Sequence, residues 1–458
     1  MDNWITEVLR VHYSDAVAIR QGQNGSFSVH AKRDILSGSV VAEIPKAALL
    51  SLKNVPTVTE LLIKYHLDQD EDLALSTAIL YEKLKGKESN WYGYLESIPD
   101  ESIRTPLSLS PETLLRNLQG LSFLQDIIDE KERIRLAWTH AVRPLLEECL
   151  PSITHRRLTL EAFVRCFQIQ SSRAFFADEE HRDSLIPFAD LLNHKISVLS
   201  FDLAIEGKDE ESKTEVSPKA IEEHLKPEIL VGNVDSTSKI VLTALKDVKS
   251  GKEIFNTYGE CANSMLFMEY GFALPDNPFN VMKLFLPLLS DVGMTDRSWR
   301  RRFRTIETIS QSDSVATDVL EILEDGFIPV KTGESGIWTM SNVAWAVLVT
   351  CTDSIFDDIQ SNGSIEVIVM QAVEPGSVGI TKVSQDVASC FVTACNLLKH
   401  MANSKLKELI SRRKGQEMDF IYAKEAKILY DDEIELLERA LSELKNRELS
   451  FKSCIVER

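Results

Sequence analysis

Three short stretches of the chain carry side chains that could do chemistry together. They are Gly25-Ser-Phe-Ser-Val-His-Ala-Lys-Arg-Asp-Ile35, Ile186-Pro-Phe-Ala-Asp-Leu-Leu-Asn-His194, and Glu253-Ile-Phe-Asn-Thr-Tyr-Gly259, the last leading to Tyr270-Gly-Phe272. Ser172-Arg-Ala-Phe175 lies upstream of the second. Tyr258 and Tyr270 each join a hydroxyl to an apolar ring, which suits a site that is dry at one end and hydrogen-bonded at the other. Arg173 offers a planar fork for a carboxylate, Asp190 an acceptor, and Asn193-His194 a set of amide and ring hydrogen bonds. Gly25 would let backbone come close to a ligand. Each also has an ordinary use. Asn-Thr-Tyr-Gly is a good turn, Tyr270 suits a core, Asn-His can be a cap or core pair, and Arg173 can form a surface ion pair. Asp190 can accept within its own turn, and Gly25 with its serines can make a hairpin turn.

The elements that would position these residues alternate in period. From Val17 to Leu52, short runs such as Ser39-Val-Val-Ala-Glu-Ile44 sit between turn signals at Gly22, Asn24-Gly25 and Ser37-Gly38, and predict paired strands. Between Val58 and Phe176 the period rises to about 3.6, predicting helices over 58–67, 72–85, 111–119, 122–148 and 159–174. Strand-and-turn texture returns from Leu185 to Phe201. The polar stretch from Glu206 to Ser238 predicts a long surface loop or flexible insertion. A strand over 240–244, a turn at Ser250-Gly251 and a short helix from Asn263 to Tyr270 follow. Beyond Asn277 the chain reads as a separate helical domain with long helices over 383–413 and 418–448, where Ile434, Leu437, Leu441 and Leu444 form a bundle-core stripe.

Composition bounds the function. The chain has 458 residues, 44% hydrophobic and 26% charged, which is globular and long enough for two or three domains. Its seven cysteines include no C-x-x-C pair, which speaks against a zinc ribbon or disulfide scaffold and for a reducing compartment. No metal site is expected. The start lacks a signal-peptide pattern, and the longest apolar run, Val343 to Cys351, is too short to span a bilayer, so a soluble cytoplasmic or nuclear protein is expected. A net charge of -19 argues against general binding to nucleic acid or anionic membranes and favours basic partners.

In this order the motifs resemble a SET-domain protein methyltransferase, specifically the Rubisco large-subunit methyltransferase-like group. Ile-Pro-Lys-Ala-Ala-Leu-Leu-Ser at 44–51 and Asn-Trp-Tyr-Gly-Tyr-Leu-Glu-Ser-Ile-Pro at 90–99 are most similar to the branch of fungal ribosomal-protein lysine methyltransferases and an animal enzyme that modifies a transcription-factor subunit. The resemblance implies an α+β fold. Its SET core, in two parts at 17–55 and 176–275, is split by a helical insertion at 56–175 and followed by an all-α substrate-binding domain at 277–458. It implies S-adenosyl-L-methionine as cofactor and a lysine of a basic protein, ribosomal in this branch, as target, with no direct nucleic-acid or membrane partner. Tyr258 matches the catalytic tyrosine and Tyr270 an aromatic of the lysine channel. Gly25, Ser26, Phe27, Arg173, Asn193, His194 and Tyr258 fall at cofactor-contacting positions, and Arg173, Asp190, Tyr258 and Tyr270 at substrate-side positions.

The chain departs from the family pattern at two places. Ser26-Phe27-Ser28 replaces the usual Gly-x-Gly, so two hydroxymethyl groups stand where backbone approaches the cofactor, and Ala177 replaces a basic substrate-contacting residue. Two alternatives follow: a histidine methyltransferase of the same architecture, whose target ring is neutral near physiological pH, and a non-catalytic SET-fold interaction protein.

Overall fold

The computed structural model describes residues 2–22, 27–98, 105–151, 157–195, 229–233, 238–288, 290–331, 337–365, 385–414 and 420–454. Gly25, Ser26 and most of the polar stretch 206–238 lie outside the described residues. Two compact units emerge, one made of 1–109, 126–261 and 265–272, the other of 110–125, 262–264 and 273–458.

The first unit is built on short strands. β1 (His12–Tyr13), β4 (Val40–Pro45), β9 (Lys239–Ala244) and β8 (Ile229–Asn233) form one antiparallel sheet in that order. β9 alternates strictly, with Ile240, Leu242 and Ala244 buried and the residues between them less so, as one-sided packing demands. β2 (Val17–Gln21) and β3 (Phe27–Ala31) make a hairpin with Val17 opposite Ala31. β5 (Ala174–Phe176) pairs with β6 (Asp183–Leu185). β7 (Asn193–His194) runs parallel to β10 (Phe255–Asn256), so segments about sixty residues apart in sequence lie side by side. β8 falls inside the stretch expected to be loop: Ile229-Leu-Val is a short apolar run, and it pairs along β9.

Within this unit, helices of the insertion pack onto these strands. The helix Glu71–Lys85 starts at Asp70, whose carboxylate accepts from the Leu73 amide, and is buried over most of its length. It packs against the helix Leu160–Arg173, capped by Thr159. The expected continuous helix over 122–148 is instead interrupted. Leu124–Ala137 is followed by a wider π turn at Trp138–Val142 before Arg143–Cys149 begins. Pro144 supplies no amide hydrogen and crowds the preceding turn, which accounts for the widening.

In the second unit, capped helices surround a small ribbon. Thr295, Asp313, Thr339 and Thr352 each accept from an amide at the start of Asp296–Ile309, Ser314–Asp325, Met340–Thr350 and Asp353–Asn362. The long helices Gln385–Arg413 and Ala423–Cys454 pack on each other. Leu437 and Leu444 of the expected stripe are buried with Leu436 and Ala440, while Ile434 and Leu441 sit at its margin. The mixed α+β core and the largely helical region after it agree with the fold class read from the sequence. One addition stands within that helical region: β11 (Val281–Phe285) pairs antiparallel with β12 (Phe327–Lys331), burying Met282, Leu284, Ile328 and Val330.

Candidate active site

Tyr258 stands just after β10, in a turn that its own neighbours close. The Thr257 amide donates to Asn256 Oδ1 at 2.8 Å and the Gly259 amide to Thr257 Oγ1 at 3.1 Å. Gly259 has φ +102° and Gly271, directly after Tyr270, has φ +77°, so each tyrosine is followed by a backbone turn that favours glycine. Turn and site are thus the same residues.

The Tyr258 amide donates to His194 Nδ1 at 3.0 Å, which places the proton of the neutral ring on Nε2. The two rings stack with centroids 4.9 Å apart. On its other side Tyr258 stacks on Tyr270 at 4.4 Å, and Phe272 lies 6.1 Å from both His194 and Tyr270. The Tyr258 hydroxyl donates to the Leu192 carbonyl at 3.3 Å. Burial pushes this phenol up to about 12, with Arg173 opposing in part, and pushes His194 down to about 4. Burial likewise raises Tyr270, with Glu269 adding to it. All three rings are therefore neutral near pH 7.

Arg173 ends the helix Leu160–Arg173 and points to the turn at Ala189–Leu191, donating through Nη1 to both the Asp190 carbonyl and Asp190 Oδ2 at 3.0 Å. The Tyr94 hydroxyl donates to the same Oδ2 at 2.9 Å. Burial works against the guanidinium charge, but Asp190 and Tyr94 more than offset it. Burial also pushes Asp190 upward while Arg173 and Tyr94 pull it back. Phe188, before this turn, holds φ +81° without being glycine and stacks on Tyr13 at 5.0 Å. Such a conformation costs on the order of 1–3 kcal/mol, and it opens the turn whose Asp190 side chain is buried.

Asn193 uses its amide on Glu253 Oε1 at 2.6 Å. Glu253 bridges to His30 of β3, and the Ile254 amide donates to the Val29 carbonyl at 2.8 Å, so β3, the 252–254 segment, β10 and β7 follow one another. Phe27 begins β3, half-buried. Ser28 Oγ lies 3.1 Å from His30 Nε2, its hydroxyl engaged within its own strand. Ala177 is buried, its amide bonded to the Arg182 carbonyl. The structure thus brings Tyr258, Tyr270, Arg173, Asp190, Asn193 and His194 into one region of the first unit.

No family model matches the chain. Among curated proteins, Ribosomal lysine N-methyltransferase set10 of Schizosaccharomyces pombe is 26% identical over 280 residues, covering 60% of this chain and 44% of that protein. Ribosomal lysine N-methyltransferase 3 of Saccharomyces cerevisiae is 27% identical over 336 residues, covering 58% of this chain and 60% of that protein. The chain spans about half the length of these two relatives. Among solved structures, the SET domain of LSMT bound to lysine and AdoHcy superposes with a TM-score of 0.65 at 17% identity, over 98% of this chain and 91% of that one. The chain has a SET fold. Rubisco LSMT bound to AdoMet gives a TM-score of 0.62 at 18% identity, over 98% and 92%.

Within this SET fold three polar atoms of the site residues and of β3 are buried with no hydrogen-bond partner among the described residues: Arg173 Nε, Asp190 Oδ1 and His30 Nδ1. A buried guanidinium donor left open is the kind of group that an amino-acid carboxylate would satisfy, so the residues present fit the carboxylate end of an amino-acid cofactor such as S-adenosylmethionine. Sequence reasoning missed Tyr94, the Leu192 carbonyl and Phe272. Tyr94 and Phe272 stand inside quoted motifs, but nothing in their spacing marked them. A backbone carbonyl has no sequence signal at all.

Proposed function

We propose that this protein is an S-adenosylmethionine-dependent protein-lysine N-methyltransferase whose target is a lysine of a ribosomal protein. The observation that carries it is the Tyr258 hydroxyl, held against the Leu192 carbonyl and walled by His194, Tyr270 and Phe272. When bound, the cofactor supplies an electrophilic methyl group on a sulfonium. Arg173, Asn193 and His194 are the residues that would hold it, with Phe27 on the neighbouring strand.

The lysine nitrogen must be neutral to react. With a reference pKa near 10.4, removing its proton at pH 7.4 costs about 4 kcal/mol. Aromatic walls exclude water and lower that cost by disfavouring the ammonium. A phenol and a backbone carbonyl then offer the free amine one donor and one acceptor, which fixes its lone pair. Tyr258 stays protonated in this role, because burial raises its pKa. The ribosomal target is supported by the names of the two fungal relatives and by the net charge of -19, which attracts Lys/Arg-rich proteins.

The test is to incubate the protein and methyl-labelled cofactor with extract from cells lacking it, and to identify the labelled residue by mass spectrometry. A labelled lysine in a ribosomal protein is expected. Label on a histidine overturns the lysine assignment, and absence of both label and cofactor binding overturns the enzymatic reading altogether.

A further inference from the structure

The helix Asp296–Ile309 in the second unit carries five arginines, at 297, 300, 301, 302 and 304, in a chain of net charge -19. Arg302 is what a structural arginine looks like here. It is buried, with Nη2 donating to the Cys351 carbonyl at 2.9 Å and Nη1 to the Leu348 carbonyl. Arg301 pairs with Asp357 and Gln360 and lies over the Phe356 ring. Arg297, Arg300 and Arg304 are exposed, and none of their guanidinium groups has an ionic or hydrogen-bonding partner among the described residues.

Folding gains nothing evident from those three. Arg297 with Arg301, and Arg300 with Arg304, are like charges one turn apart, and the first turns of a helix disfavour cations. Yet offsets of three and seven put 297, 300 and 304 on one face, spread over about 10 Å of helix. They line a groove of about 840 Å³, together with Arg301, Thr308 and Gln360. Asp296 is the one carboxylate among its described lining residues.

We propose that this groove docks an acidic, Asp/Glu-rich segment of a partner protein. Three open guanidinium forks match carboxylates spaced along one face of a helix or along alternate positions of a strand. A nucleic acid fits less well. No described lining residue is aromatic, so bases find no face to stack on there, and a long polyanion would extend beyond the short basic stripe into the field of an acidic protein. The inference does not depend on the methyl-transfer reading, since it concerns a surface contained within the second unit.

Fluorescence anisotropy of the full-length protein with a labelled peptide of alternating Glu and Ala, at low salt, tests it. The wild type should bind, and R297E/R300E/R304E should bind at least about tenfold more weakly with an unchanged melting temperature. R33Q/R135Q/K249Q, which removes three cations elsewhere, should bind like the wild type. If the triple glutamate variant melts early, R300Q serves in its place and should bind more weakly with an unchanged melting temperature. Absence of peptide binding, equal loss in the R33Q/R135Q/K249Q variant, or tighter binding of a single-stranded RNA of equal charge each overturns the proposal.

Discussion

The rings of Tyr258 and Tyr270 lie 4.4 Å apart and within 18° of parallel, while the Tyr258 hydroxyl reaches the Leu192 carbonyl at 3.3 Å. The stacking fixes where the ring is, and the hydroxyl is what chemistry can use. Tyr258→Phe keeps the stack and removes only the hydroxyl. Turnover should fall by about 10²-fold or more, the scale for one lost transition-state donor, while stability changes by roughly 1 kcal/mol. Methyl-transfer rates and a thermal melt read both. Unchanged turnover would assign the phenol's role elsewhere.

Asp190 accepts from Arg173 and Tyr94 through the same oxygen, Oδ2. Asp190→Asn leaves a buried guanidinium without its counter-charge and should destabilise by about 3 kcal/mol or more. Tyr94→Phe removes one neutral donor and should cost about 1 kcal/mol. Because the two share an atom, their combined effect should be smaller than the sum. Denaturant midpoints of the two single variants and the double variant decide, and strict additivity would mean that the contacts are independent. Cofactor affinity should fall in both single variants, since each loosens Arg173.

The rate of methyl transfer should rise with pH with a slope of about one between roughly pH 6 and 9, following deprotonation of the target amine. His194 should add no break near its ordinary value, because burial holds it down to about 4 and it is already neutral. Tyr258, pushed up to about 12, should add none on the alkaline side. A break near 6.5 that disappears in His194→Asn would show that the ring takes a proton in the working range.

Residue types and local order were legible in the chain; contacts across distance were not. The motif around Asn-Thr-Tyr-Gly displays its turn because Asn256, Thr257 and Gly259 close it locally. Tyr94 gives no such sign, since its partner Asp190 lies ninety-six positions away. The ribbon β11–β12 divides the same way. Val281-Met-Lys-Leu-Phe buries alternate residues, a period of two open to reading. In Phe327-Ile-Pro-Val-Lys, Pro329 argues against a strand, and the pairing tolerates it because the ribbon has only two strands. The π turn at Trp138–Val142 hides in a continuous helical pattern, with Pro144 as its one clue.

Glu433 is buried in the second unit, where Oε1 accepts from the Ser122 amide at 2.9 Å and from Ser122 Oγ at 2.7 Å, and Oε2 has no partner among the described residues. Burial pushes its pKa from 4.5 up to about 7, against the pull of Ser122. Between those values the native state holds a proton that the unfolded chain has released, so stability falls as pH rises through this window. The loss should reach roughly 3 kcal/mol above pH 7. Glu433→Gln keeps an oxygen for Ser122 and carries no charge at any pH. It should match the wild type near pH 4.5 and exceed it at pH 8, as measured by denaturant unfolding at both values. An equal pH slope in the two proteins would mean that Glu433 is ionised in the folded state, and that something else near Ser122 balances its charge.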